Sequence, residues 1–172
     1  MAKQSLPSTL SDLNAFFANE SWAGALNKVK LPDIELKTET FTAGGTGVER
    51  DKVLPILKAL KTTMTWSDYS SKVLSMVGNP NAANEPIILR GSFNRDGTEL
   101  GIKIKMQGDF FKQSFNEMAT GGVEATTETD VSLSFYSVEI DGDEAIYVDA
   151  DNRVFRTGGT DHWEQIRSNL GM

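Results

Sequence analysis

The chain has no cysteine, a single histidine and five prolines in 172 residues. Without cysteine there can be no disulfide framework, no thiolate metal site and no Cys-His nucleophile. This fits assembly in a reducing cytoplasm. With His162 alone, an imidazole-based zinc site is out of reach. A Ser-His-Asp triad also lacks its poised serine, since no GxSxG-like elbow occurs. No apolar run approaches the ~18 residues of a membrane span, and the opening MAKQSLPSTL has no apolar core of a signal peptide. Basic residues are also scarce: 17 Lys and Arg against 24 Asp and Glu leave a net charge of −7. That balance excludes a clamp that grips nucleic-acid phosphates. It leaves open a surface that DNA passes without sticking.

What remains is an ordinary globular composition, 39% hydrophobic and 24% charged, of a length that suits one domain spanning 1–172. Most of it reads as strand. Ser5 to Glu20 is mixed and irregular, with room for a helical turn. Trp22 to Phe41 is two extended pieces broken at Leu31-Pro32, and Ile34–Phe41 alternates like a half-buried strand. Val53–Trp66 fits both helical and strand spacing. Pro55 and the β-rich tail Thr62–Trp66 favour strand. Ser67–Val77 reads as a helix capped by Ser67 and closed by Gly78, followed by a loop, NPNAANEP. At the C-terminal end, Asp161 and Glu164 have capping-box spacing. Trp163, Ile166 and Leu170 make an apolar stripe, and Gly171 stops the helix.

Two hairpins differ in their turns. At Asp96-Gly97 a two-residue type I′ loop pairs Arg95 with Thr98 and aligns Ile87, Leu89, Phe93, Leu100, Ile104 and Met106 on one face. At Asp141-Gly142 the same loop would put Val138 opposite Ala145 and split the apolar set. A three-residue loop, Ile140-Asp141-Gly142, pairs Tyr136 with Ile146 instead and makes Gly142 left-handed beside a bulge. The strand before it also changes phase: Val131, Leu133 and Phe135 are apolar at odd positions, Tyr136, Val138 and Ile140 at even ones. A bend near Phe135-Tyr136-Ser137 would let one strand serve two sheets.

Motifs for chemistry are weak. Gly44–Gly47 lacks the spacing of a phosphate loop. The acidic cluster Asp141, Asp143, Glu144, Asp149 and Asp151 lacks the order of a calcium loop and reads as a solvated hairpin. No cofactor or metal is expected, and no enzyme, since no acid/base or nucleophile set appears. The polar faces say more. Lys103, Lys105, Gln107 and Asp109 alternate against apolar residues, as do Glu128, Asp130, Ser132 and Ser134, so the strands can pair charges across a wet sheet.

Several segments carry a family resemblance, in order along the chain: LPSTLSDLNAFF near the N-terminus, Ser21-Trp22-Ala23-Gly24, LPDIELKTETFTAGG from Leu31 to Gly45, and Arg90-Gly91-Ser92-Phe93. The last is the run from Phe135 through DHWEQIRSNLGM. In these the chain resembles the major tail tube proteins of contractile-tailed bacteriophages, including the tubes of R-type pyocins. The resemblance implies a mainly β fold: two antiparallel sheets packed as a sandwich or barrel, with one or two short flanking α-helices. It implies homohexameric rings, each copy giving four strands to an inner barrel, stacked into a tube that conducts phage DNA. Its partners would be further copies, a tail sheath protein around the tube, baseplate and tail terminator proteins at its ends, and DNA passing without specific binding, with no membrane segment. Alternatives are the tube of a headless contractile bacteriocin, a type VI-like injection tube or, in another class, a monomeric β-sandwich ligand-binding module.

On this reading the inner sheet comprises Ile34–Phe41, Leu57–Trp66, Leu100–Asp109 and Thr126–Phe135. Its channel face carries Glu35, Lys37, Glu39, Lys61, Thr63, Thr65, Lys103, Lys105, Gln107, Asp109, Glu128, Asp130, Ser132 and Ser134, nearly neutral in sum. The Gly-rich loop is long for a plain turn, and its residues Gly44, Gly45, Thr46, Gly47, Val48 and Glu49 are expected to reach a neighbouring copy.

Overall fold

A computed structural model describes residues 9–18, 20–42, 47–67, 69–116, 120–121 and 125–172. In chain order the elements are β1 (Thr9–Phe17), β2 (Glu20–Ser21), β3 (Leu26–Lys30), β4 (Leu36–Thr42), β5 (Glu49–Leu57), β6 (Leu60–Trp66), α1 (Ser71–Leu74), α2 (Pro80–Asn84), β7 (Ile87–Arg95) and β8 (Thr98–Phe115). Then come β9 (Thr127–Ile140), β10 (Asp143–Asp149), β11 (Val154–Thr157), β12 (Thr160–Asp161) and α3 (Glu164–Leu170). All strand pairs are antiparallel.

Two strands organise the rest. The ladder between β8 and β9 slips between Gln107 and Gly108, where Gln107 faces Phe135 but Gly108 faces Leu133, so Ser134 is an extra residue on β9. Above the slip, β8 pairs with β7 and β9 with β10. Below it, β9 pairs with β6, which carries β3 on its far side. The expected phase change is therefore real, and its cause is the bulged Ser134. One apolar face can stay inward on both sides of it: Val131 and Leu133 before, Tyr136 and Val138 after, all buried. The two layers, β3-β6-β9-β8 and β1-β7-β8-β9-β10-β11, close on Met64, Trp66, Leu89, Ile104, Met106, Phe110, Val148 and Phe155. Trp22 packs edge-on to Trp66 with ring centroids 5.5 Å apart.

Both hairpins turn on two residues. The Asp96-Gly97 hairpin has the expected register, and both turn residues have positive φ, 56° and 79°. The Asp141-Gly142 hairpin corrects the sequence expectation. Asp143 pairs with Ile140, so the loop is also of type I′, with φ 50° and 89°. The register shift comes two residues later, between Glu144 and Ile146. It sets Ile146 opposite Val138 and Val148 opposite Tyr136. The apolar set did require an offset of one residue. The strand supplies it at Ala145, leaving the favoured turn intact.

Other expectations are revised by long-range pairing. Thr9–Phe17 is strand throughout, because β7 supplies its partner from residue 87 onward. Val53–Trp66 is indeed extended but divides at Lys58-Ala59 into β5 and β6. Ile34–Phe41 is half-buried only at its start, where Ile34 and Leu36 pack against the core; further on β4 pairs with β5 alone, and Phe41 and its ribbon neighbour Val53 are 45% and 57% exposed. The helix after Ser67 shrinks to α1, capped by Ser70, whose hydroxyl accepts from Val73 N–H. The loop NPNAANEP contains α2, capped by Asn79 with Pro80 in its first turn. In α3, Asp161 accepts from Trp163 N–H at 2.9 Å and pairs with Arg167 at 2.6 Å, so it tethers the helix without a reciprocal capping box. Trp163 is buried but Leu170 is 56% exposed, which removes Leu170 from the docked stripe. Gly171, at φ 71°, ends the helix as expected.

Gly108 sits where the shared strands cross most closely. A Cβ there would lie 2.0 Å from the Ser132 carbonyl oxygen and 2.7 Å from Leu133 Cα, both backbone atoms that cannot step aside. Gly108→Ala is expected to cost more than about 4 kcal/mol in urea unfolding or to prevent folding. Tyr136 offers a pH test, because burial pushes its phenol up to about 12. The unfolded chain releases that proton near pH 10 and the folded chain does not. Stability is thus lost as pH rises from about 10 toward 12, by up to about 1.4 kcal/mol per pH unit from this group. Tyr136→Phe should remove that part of the slope in unfolding curves measured across this range.

Candidate functional site

Directly opposed residues share a side of the sheet, so the ladders of the β3-β6-β9-β8 layer define its outer face. One row runs Lys30, Thr63, Asp130, Lys112; the next runs Lys28, Thr65, Glu128, Ser114; a third runs Lys61, Ser132, Asp109. The other side of the same strands carries Thr62, Met64, Trp66, Thr127, Thr129 and Val131, all buried. Strict alternation in LKTTMTW and TETDVSL produces this split, small or charged outward and packed inward.

The face is held by short contacts. Thr63 Oγ1 donates to Asp130 at 2.6 Å, and Lys112 stands 3.6 Å from the same carboxylate. Lys61 lies over the Phe111 ring at 5.7 Å. Glu35 pairs with Lys58 at 2.6 Å, and both border a polar depression of about 520 Å³ that also touches Lys30, Asp33 and Asp130. On the three rows, four lysines face three carboxylates. The groups are wet and interleaved, so the face is hydrated and close to neutral.

The structure thus gathers seven of the sequence-selected residues: Lys61, Thr63, Thr65, Asp109, Glu128, Asp130 and Ser132. Lys103, Lys105 and Gln107 lie beyond the bend, on the outer side of the other layer. There Lys103 pairs with Glu139 at 3.0 Å, Lys105 lies 5.6 Å over Phe135, and Gln107 donates to the Asn84 carbonyl at 3.2 Å. Ser134 is the bulged residue; its carbonyl accepts from Ala150 N–H at 2.8 Å. Lys37 and Glu39 belong to the β4–β5 arm, where Glu39 faces Lys52. Sequence reasoning missed Lys28 and Lys30. Their alternation with Val29 was readable, but the strand is only five residues long. Of the Gly-rich loop, Gly44, Gly45 and Thr46 lie outside the described residues; Gly47, Val48 and Glu49 lead into β5.

The other residues singled out from the sequence take structural roles in the described part of the chain. Among the described residues no three His, Asp or Glu side chains are grouped to hold a metal. His162 Nε2 is 2.6 Å from Thr157 Oγ1, and its ring packs on Phe155. Three members of the acidic cluster are committed to structure. Asp141 accepts from Gly101 N–H at 2.8 Å, and Asp149 accepts twice from Asn152. Glu144 takes a two-pronged hydrogen bond from Arg156, which holds its carboxyl below the ordinary range. The groove of about 420 Å³ between Leu57, Leu60, Val148 and Trp163 is apolar apart from Lys58 and Arg153 at its rim. No helix among the described residues is long and apolar enough to cross a membrane.

Three comparisons agree with this architecture. The tail tube protein of Escherichia phage P2 is 24% identical over 181 residues, covering 97% of this chain and 99% of its own. Among solved structures, a chain of the sheath–tube complex of an extracellular contractile injection system in the extended state matches with a TM-score of 0.54. It is 12% identical, with 74% of this chain and 87% of that one covered. A chain from the sheath/tube terminator of that kind of system matches with a TM-score of 0.56 and 16% identity, over 81% of this chain and 99% of that one. The model of the family described as phage tail tube protein FII matches residues 7–171, and the chain belongs to that family.

Proposed function

We propose that copies of this chain close into hexameric rings whose inner wall is the β3-β6-β9-β8 layer, and that stacked rings form the conduit for phage DNA in the tail of the virion. The observation that carries this reading is the pair of free edges. Among the described residues β3 pairs only with the strand β6, and β8 beyond Met106 pairs only with the strand β9. The four strands alternate in direction, so β3 of one copy set beside β8 of the next continues the antiparallel order. Open edges invite such pairing, and only closure removes them all. Six copies would give ~24 strands at about 4.8 Å spacing, a circumference of about 115 Å and a backbone diameter of about 37 Å before tilt widens it. The bore then remains wide enough for a duplex after side chains fill its rim.

The gathered residues Lys61, Thr63, Thr65, Asp109, Glu128, Asp130 and Ser132, with Lys28 and Lys30, would line that bore. Interleaved lysines and carboxylates hold water and give little net pull on phosphates. Glu35, Lys37, Glu39, Lys103, Lys105, Gln107 and Ser134 reach it only where the arm of one copy or the bend approaches a neighbouring ring. The outer side would face a sheath, with terminator and baseplate proteins at the ends, as the injection-system relatives are sheath–tube and terminator assemblies. The role is structural and needs no catalysis.

The β4–β5 arm supports contact between copies. A two-stranded ribbon alone is marginal in water, and this one exposes Phe41, Val48 and Val53. Deleting residues 44–49 is expected to leave a monomer with unchanged circular dichroism that forms no tubes in negative-stain micrographs. Tubes of normal length from the deletion variant would count against the arm's role.

A further inference from the structure

The free half of β8 is not bare. Phe110 turns its carbonyl away from β9, and Gly78 N–H donates to it at 3.3 Å. Three residues earlier on the strand, Gln107 Nε2 donates to the Asn84 carbonyl at 3.2 Å. Between those two bonds runs the α1–α2 junction and α2 itself, lying along the strand that β7 leaves uncovered. Covering an edge with a helix or loop is one way proteins keep strands from pairing too early.

This cover is lightly held. A five-residue helix cannot sustain itself by its own hydrogen bonds, and α2 buries only Ala82. Its N-terminus depends on Asn79, whose side chain accepts from Asn81 N–H at 3.0 Å. Beneath it a groove of about 300 Å³ separates Met76, Asn79 and Ala82 from Phe17 and Trp22. Trp22 Nε1 is buried there without a hydrogen-bond partner. By contrast, Val73 in α1 and Met76 just after it are firmly seated, at 0% and 3% exposure. Gly78, at φ 77°, joins the anchored part to the loose part.

We propose that Gly78–Asn84 is a latch over the docking edge of β8, closed in the free subunit and displaced when β3 of a second copy takes the edge. The inference rests on the ring reading above and adds to it a barrier against premature polymerisation. Phe111 and Phe115, 49% and 63% exposed on the same stretch, are the apolar surface that the incoming copy would then cover. Because Val73 and Met76 stay seated, opening sacrifices the two hydrogen bonds to β8 and the buried contact of Ala82 at the border of the core.

Three measurements on the full chain test the latch. Asn79→Ala should lower the concentration at which tubes appear by about threefold to tenfold, as expected for loss of a helix N-cap. Because the chain has no native cysteine, Asn84→Cys with Gln107→Cys can be bridged by a reducible thiol linker. The bridged protein should stay monomeric while each single variant, capped with the same reagent, assembles; reduction should restore assembly. In the unmodified protein, hydrogen exchange should slow at Asp109–Phe115 on tube formation and accelerate at Gly78–Asn84. Bridged protein that assembles like the capped single variants, or a segment Gly78–Asn84 as protected in tubes as in monomers, overturns the latch while leaving the tube intact. Absence of tubes from the unmodified protein at any concentration would sink the ring reading and the latch together.

Discussion

The fold depends on two strands that belong to both layers. β8 and β9 run through the whole molecule and bend together, with Gly108 on one and the extra Ser134 on the other. The 2.0 Å approach between a Cβ at Gly108 and the Ser132 carbonyl shows how closely the backbones meet at that corner. Every other strand of the large sheet attaches to one side of the bend: β7, β1, β2, β10, β11 and β12 above, β6 and β3 below. The corner also sets the angle between the outer faces of the layers, and so decides that one polar face can look into a bore while the other looks away.

The free edge begins at the bend. β7 accompanies β8 only as far as Met106, where β7 begins at Ile87, directly after Pro86. Among the described residues the lower half of β8 is left with one strand neighbour, and β3, on the opposite border of the same layer, likewise has β6 alone. On the proposed reading this liability becomes the interface between copies. The short helices and the exposed β4–β5 arm are the places where the isolated chain is least complete, and both adjoin surfaces that the assembly would cover.

The sequence disclosed local order well and long-range order poorly. Asp96-Gly97 fixed its hairpin because turn chemistry and apolar alignment pointed the same way. At Asp141-Gly142 they conflicted, and the register shift between Glu144 and Ile146 resolved the conflict at a place that no turn preference marks. Thr9–Phe17 has mixed composition and becomes strand only because β7, some seventy residues later, offers it a ladder. The wet face was legible where alternation was long, in β6 and β9. It was missed in the short β3, and for Ile34–Phe41 the alternation holds one side inward only at Ile34 and Leu36 before the strand runs out into a ribbon. Only the pairing partners could reveal where that burial ends.

The central claim is that the chain's function resides in a sheet continued from copy to copy. A helical reconstruction of tubes grown from the purified protein, at a resolution that separates strands, tests it most directly. The account predicts an unbroken antiparallel barrel in which β3 of each copy is hydrogen-bonded to Gln107–Phe115 of the next, with Lys61, Thr63 and Asp130 facing the bore. Rings held by loops alone, with these two edges apart or with that face turned outward, would contradict it.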